Sequence, residues 1–185
     1  GVVAGDSNVA IGKFAGKVLI GGGSNVLVGR DAGVALTSGA QNVLIGYTAG
    51  AALDGENYSV AIGTAALATE ATSSGSVAIG QAALQDQNVS AANNVAVGYQ
   101  SALNLTSGTD SVYMGYTAGG VGVITGSNNV AIGRNACLNS TGNNASVFIG
   151  SLAGGLGVIT GASNVAIGYS AGYDLTSGAS NILIG

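Results

Sequence analysis

Few side chains in this chain could do chemistry: eight carboxylates, four cations, one cysteine and seven tyrosines in 185 residues, with no histidine. Without imidazole, Ser-His and Cys-His nucleophilic pairs and histidine-bearing metal sites are excluded. Asp54 and Glu56 are the carboxylates closest in sequence and would be the candidate acid and base for cleaving a glycosidic bond. The others, Asp6, Asp31, Glu70, Asp86, Asp110 and Asp174, are scattered, as suits charges that solvate a surface without stacking like on like. Calcium-binding rolls carry dense Gly-Gly-x-Gly-x-Asp repeats, and Gly154-Gly155-Leu156-Gly157 is followed by no aspartate. Cys137 is a lone thiol at a position where other parts of the chain carry glycine or leucine, so it reads as packing. These residues predict neither an enzyme nor a cofactor or metal protein. The better candidates for contact are Arg30, Tyr47, Tyr99, Tyr116, Arg134 and Tyr169, large amphipathic residues at one recurring position. Exposed tyrosine and arginine can meet a glycan or a protein receptor. The alternative is a solvated edge that shields the backbone.

What positions all of them is a five-residue stretch, Asn-Val-Ala-Ile-Gly at Asn8 to Gly12, which returns with small changes ten times. Its closing glycines are Gly12, Gly29, Gly46, Gly63, Gly80, Gly98, Gly115, Gly133, Gly150, Gly168 and Gly185, always 17 or 18 residues apart. Self-similarity at such a period is the mark of a solenoid, each repeat forming one coil. Three residues before each glycine and, except for Met114, one before it stand branched aliphatics, with Val9 and Ile11, Val26 and Val28, Val43 and Ile45, Val60 and Ile62, Val77 and Ile79, Val95 and Val97, Val130 and Ile132, and Val165 and Ile167 among the pairs. Residues two apart share one face of a strand, and this pair is expected to form the core ladder of the coil. The residue between them is also always apolar, and a strand apolar on both sides is covered on both sides. A coil this thin lines one interior only, so the other face is expected to pack on a second copy of the chain.

The remaining fixed positions suit tight corners. Four residues before the glycine stands asparagine in seven coils (Asn8, Asn25, Asn42, Asn94, Asn129, Asn164, Asn181) and serine in four, an arrangement able to hydrogen-bond up the stack and into the turns. The motif glycine fits a corner that needs positive φ or close backbone approach. Leu36-Thr37-Ser38-Gly39, Leu105 to Gly108, Leu175 to Gly178, Val123 to Gly126 and Val158 to Gly161 read as short second strands ending in a turn. A hexapeptide left-handed helix would want aliphatics six and twelve residues after the motif isoleucine, but Ile45 is followed there by Ala51 and Asn57. A flatter roll with two strands per coil is preferred.

Composition agrees with a packed rod. Charged residues are 6% and apolar ones 47%, with 34 glycines and no proline, far from either a disordered chain or an average globular one. A formal charge of −4 without a basic stripe argues against nucleic acid and anionic membrane as partners. Apolar runs are broken every few residues, so no membrane span is expected. The chain opens in mid-coil and closes on a motif glycine, which suggests one domain, 1–185, cut from a longer fibre.

The recurring Asn-Val-Ala-Ile-Gly-x-x-Ala-Gly, as at Asn8 to Gly16 and Asn164 to Gly172, resembles the head repeats of trimeric autotransporter adhesins. The form Gly126-Ser127-Asn128-Asn129-Val130-Ala131-Ile132-Gly133 resembles still more the repeats of bacteriophage tail fibres. The resemblance covers essentially the whole chain. It implies an all-β fold, a parallel left-handed β-solenoid of about 11 coils, assembled as a homotrimer into an extracellular rod. Its implied function is attachment, as a tail-fibre shaft or adhesin head at a virion or bacterial surface. A self-assembling extracellular structural filament of stacked coils is the alternative.

Overall fold

The computed structural model describes residues 5–69, 74–87, 93–120, 122–155 and 157–185. Each motif forms a three-residue strand: β1 (Val9–Ile11), β2 (Val26–Val28), β3 (Val43–Ile45), β4 (Val60–Ile62), β5 (Val77–Ile79), β6 (Val95–Val97), β7 (Val112–Met114), β8 (Val130–Ile132), β9 (Val147–Ile149), β10 (Val165–Ile167) and β11 (Ile182–Ile184). These strands pair in chain order into one parallel sheet of 11. Every motif residue lies beside its equivalent in the next coil, Val43 beside Val60 and Ile45 beside Ile62 for example. The fold is an all-β parallel solenoid.

Why the strand stops after three residues is visible at its two ends. The motif glycines take φ between +128° and +139°, a region that residues with a Cβ rarely enter. A Cβ on Gly46 would lie 2.4 Å from the Gly63 carbonyl oxygen, so the corners of successive coils touch backbone to backbone. At the other end, the residue before the Asn or Ser also has positive φ, as at Ser24, Gln41, Asn128 and Ser163. Two further positive-φ positions follow the glycine by two and by four residues, as at Thr48 and Gly50. Four such bends per coil leave room for only one straight side.

The expected second strands are therefore largely absent. Among the described residues they are reduced to a single parallel bridge, Leu105 with Ile124. The cause lies in the hydrogen bonds: two successive N–H groups share one carbonyl of the next coil, as Thr37 and Ser38 share that of Asp54, and Ile20 and Gly21 that of Thr37. A shared acceptor is turn geometry, whereas a ladder alternates its acceptors.

The assignment of the core ladder is reversed. Val9, Ile11, Val26, Val28, Val43, Ile45, Val60, Ile62, Val77, Ile79, Val95, Val97, Val130, Ile132, Val165 and Ile167 point out of the coil and stay half-buried or exposed. The interior is lined by the residue between each pair, including Leu27, Leu44, Ala61, Ala78, Tyr113 and Phe148. It is joined there by the Ala three after the glycine and by Leu19, Leu36, Leu53, Leu105, Ile124 and Ile159 from the opposite wall. The reason is strand parity. The motif Asn donates from Nδ2 across the coil to a backbone carbonyl, as Asn25 does to Gly39 at 2.8 Å and Asn42 to Glu56 at 2.7 Å. An inward Asn puts the residue two further on inward as well, and the Val and Ile outward.

The interior also explains which small residue follows each Ala. Where the inward strand residue is large, as at Leu27, Leu44, Tyr113 and Phe148, the residue four after the motif glycine is Gly33, Gly50, Gly119 and Gly154. A Cβ on Gly119 would stand 2.6 Å from Tyr113 Cδ1, and one on Gly154 2.5 Å from Phe148 Cδ1. Where the strand residue is only alanine, as at Ala61, Ala78, Ala96 and Ala131, that position carries Leu67, Leu84, Ala102 and Cys137 and fills the same space. Volume is thus exchanged between the two positions in these coils, whereas the coils of Ala10 and Ala166 keep glycine there, at Gly16 and Gly172.

Candidate functional site: the outer faces of the rod

The asparagine rail is the spine that fixes the register of the outer faces. Asn25 donates its backbone N–H to Asn8 Oδ1 at 2.9 Å and its Nδ2 to the same atom at 3.1 Å. Asn42 repeats both bonds to Asn25, and Asn181 repeats them to Asn164. Serine coils continue the rail through Oγ, which accepts the backbone N–H of Asn129 on Ser111 and of Asn164 on Ser146. Where the pattern changes, a buried polar group takes over: Gln87 occupies a leucine position and bridges Ser76 Oγ to Asn94 Nδ2. Ser59 Oγ, in contrast, is buried with no hydrogen-bond partner among the described residues.

Held by this rail, the Val and Ile columns make one continuous apolar face. Eleven strands at the usual parallel spacing extend it about 48 Å along the rod, with the two columns about 6.6 Å apart. Ile79 and Ile149 are each 37% exposed, while Ile45 and Ile62 are half-buried. The face is on the order of 300 Å² by these dimensions, within the size range of the largest patch on a monomer, which is often functional.

Along the end of the strands runs the tyrosine and arginine edge picked out from the sequence. Arg30, Tyr47, Tyr99, Tyr116, Arg134 and Tyr169 are all exposed. The structure pairs them along the rod: Tyr99 and Tyr116 stack with ring centroids 5.1 Å apart and planes at 13°, and Arg30 lies 5.4 Å over the Tyr47 ring. Stacked in this way, each ring gives one face to its neighbour. Arg30 also pairs with Asp31 at 3.0 Å. Lys13 and Lys17 each stand over Phe14, at 5.0 and 5.2 Å.

The reactive groups take structural places. Asp54 is exposed and accepts the Thr37 hydroxyl of the previous coil, whereas Glu56 turns inward and accepts the Asp54 backbone N–H. Facing opposite ways, the two carboxylates do not flank a common site. Cys137 is buried beside Asn143, and burial pushes its thiol up from 9.0 to about 12. Burial likewise raises the Tyr113 hydroxyl well above its ordinary value, while side-chain hydrogen bonds from Ser111 and Asn129 hold it inside the coil. No cluster of three acidic or cysteine side chains that could hold a metal occurs among the described residues.

The raised thiol sets a pH dependence. Because the folded value lies above the unfolded one, the contribution is full below pH 9 and is lost as pH rises toward about 12. Cys137 should therefore resist alkylation by iodoacetamide in the folded protein at pH 9 and react at once in denaturant. Equal rates in both states would mean that the wall around Cys137 is open.

A narrow core, a rail of amides and two long outer faces define a parallel β-solenoid whose means of interaction are its surfaces. Compared with known protein families, with curated proteins and with solved structures, the chain matches none. No helix among the described residues is long and apolar enough to cross a membrane.

Proposed function

We propose that the chain is the shaft or head module of a rod-like surface fibre, which assembles side by side with copies of itself and serves attachment at a virion or bacterial surface. The observation that carries this reading is the outward Val and Ile face, in register over 11 coils and unpartnered among the described residues. Burying it removes apolar area from water at roughly 25 cal/mol per Å². The face supplies roughly a third to a half of the roughly 800 Å² per partner of a stable interface, and the flanking edges would have to supply the rest. Three copies sharing an axis along the rod, the arrangement that the repeat resemblance implies, would place the six columns of each layer against one another. The reach of the rod and its exposed edges then serve a cell-surface glycan or protein receptor outside the cell.

Light scattering at two protein concentrations tests this. A mass of three chains at both is the expected result, and a mass of one chain at both defeats side-by-side assembly. A mass that climbs with concentration would favour an extracellular filament instead. Ile79→Asp sharpens the test: because Ile79 points outward, the single chain should keep its β circular dichroism, with a stability change within about 0.5 kcal/mol. Assembly should fall at least tenfold, and a variant that assembles like the parent would remove this face from the interface.

A further inference from the structure

A second outward face runs along the wall opposite the strand. In five successive coils a three-residue segment lies along this wall with its middle residue buried, as at Leu105, Ile124, Ser140 and Ile159, or partly buried, as at Leu175, and with flanks that are exposed or half-buried. The flank after the inward residue is threonine every time: Thr106, Thr125, Thr141, Thr160 and Thr176. Backbone bonds tie this column together, Thr125 to Thr141 and Thr160 to Thr176. Neither Thr141 nor the continuity of the column is evident from the sequence, because the coils of Thr125 and Thr160 each carry two extra residues between the motif glycine and the threonine.

The flank before the inward residue alternates in kind: Asn104, Val123, Asn139, Val158, Asp174. Equivalent groups recur every 35 residues, which is two coils, or about 9.6 Å along the rod at parallel-strand spacing. Val123 and Val158 are each 55% exposed and Asp174 is exposed, while Asn104 and Asn139 are half-buried between them.

We propose that this face binds a linear, extended, β-linked polysaccharide whose repeat is a disaccharide, lying parallel to the rod axis. The proposal rests on the reading of the chain as an attachment rod and names the class of its ligand. In such a polymer alternate sugars are flipped, so each disaccharide advances by about the length of two coils and shows hydroxyls and C–H faces in turn. The amide or carboxylate flank meets the hydroxyls, and the Val methyls meet the C–H face. Thr106 and Thr125 donate their hydroxyls to the next coil's carbonyls at 3.3 and 2.9 Å, which fixes both side chains and leaves oxygen lone pairs to accept from sugar hydroxyls. Side chains already ordered lose little entropy on binding, and contacts repeated along a polymer add by avidity. With one carboxylate among ten positions, the face suits a neutral polymer. The stacked Tyr99 and Tyr116, by contrast, each give one ring face to the other.

The test is co-sedimentation of the assembled protein with microcrystalline cellulose and with chitin, both extended and β-linked, against an amylose gel, which is α-linked and helical. Retention on at least one β-linked polymer and not on amylose is expected. Thr125→Lys with Thr160→Lys should retain at least tenfold less protein at unchanged particle mass, and the milder Val123→Ala with Val158→Ala should retain less than the parent. The proposal is overturned if the assembled parent binds neither β-linked polymer, if it binds amylose equally, or if the lysine variant binds as the parent does. A parent that is retained but sediments as single chains would instead overturn side-by-side assembly and leave the glycan face standing.

Discussion

Gly80→Ala is expected to unfold the middle of the rod, lowering stability by more than about 3 kcal/mol. Two effects add. Gly80 has φ +133°, outside the small left-handed region that non-glycine residues elsewhere in this chain occupy near +55°. A Cβ there would also stand 2.3 Å from the carbonyl oxygen of Gly98 and 2.6 Å from its carbonyl carbon. Both are backbone atoms of the next coil, which cannot swing aside as a side chain can, so the coils must part and lose their parallel bonds. Gly142→Ala is the control, because a Cβ at Gly142 meets only the Thr125 hydroxyl at 3.9 Å. Denaturant unfolding of the two variants should separate widely. Coincident curves would mean that the corners do not stack backbone on backbone.

Phe148→Ala is the second large effect, about 3 to 5 kcal/mol for an aromatic removed from a tight interior. Phe148 is fully buried, and Gly154 leaves room for its ring. The coils of Ala61 and Ala78 show the compensating arrangement, with Leu67 and Leu84 in the place of that glycine. Leu67 sits at φ +54° and Gly154 at +68°, so leucine fits the backbone there. Phe148→Ala combined with Gly154→Leu should therefore recover roughly 1 to 2 kcal/mol of the loss, a coupling of the size seen between touching residues. Gly154→Leu alone should destabilise, since its Cβ would press on the ring. If the two substitutions simply add, the volume exchange between these positions is not the rule that sets the core.

Much of this architecture is legible in the sequence, and the misreading has a definite cause. The motif spacing gives the coil, its length and the pairing of every strand, because an array of equivalent segments stacks in register with no other choice of partner. The asparagine rail was readable too, since an amide repeated at one position of stacked coils has both a donor and an acceptor to pass upward. Apolar residues on both strand faces are, in the structure, one face lining the interior and one Val and Ile face turned outward. Which face was which did not follow from hydrophobicity, because valine and isoleucine are the more β-prone and the larger pair. Parity with the asparagine held the answer: Asn25 and Leu27 share a face, and only the bond from Asn25 to Gly39 shows that this face is the inside.

By itself, then, the sequence determined the repeat, the parallel stack, the glycine corners and the absence of histidine chemistry, all of which depend on residue type and spacing alone. The tertiary structure decided what depends on where the wall of the coil bends. Four positive-φ bends per coil reduced the second strand to one bridge, turned the Val and Ile columns outward, and aligned five threonines whose numbering is offset by extra residues. Direction of a side chain, in or out, is set by backbone closure around a core only a few side chains wide, and closure is a property of the whole coil that no single position carries.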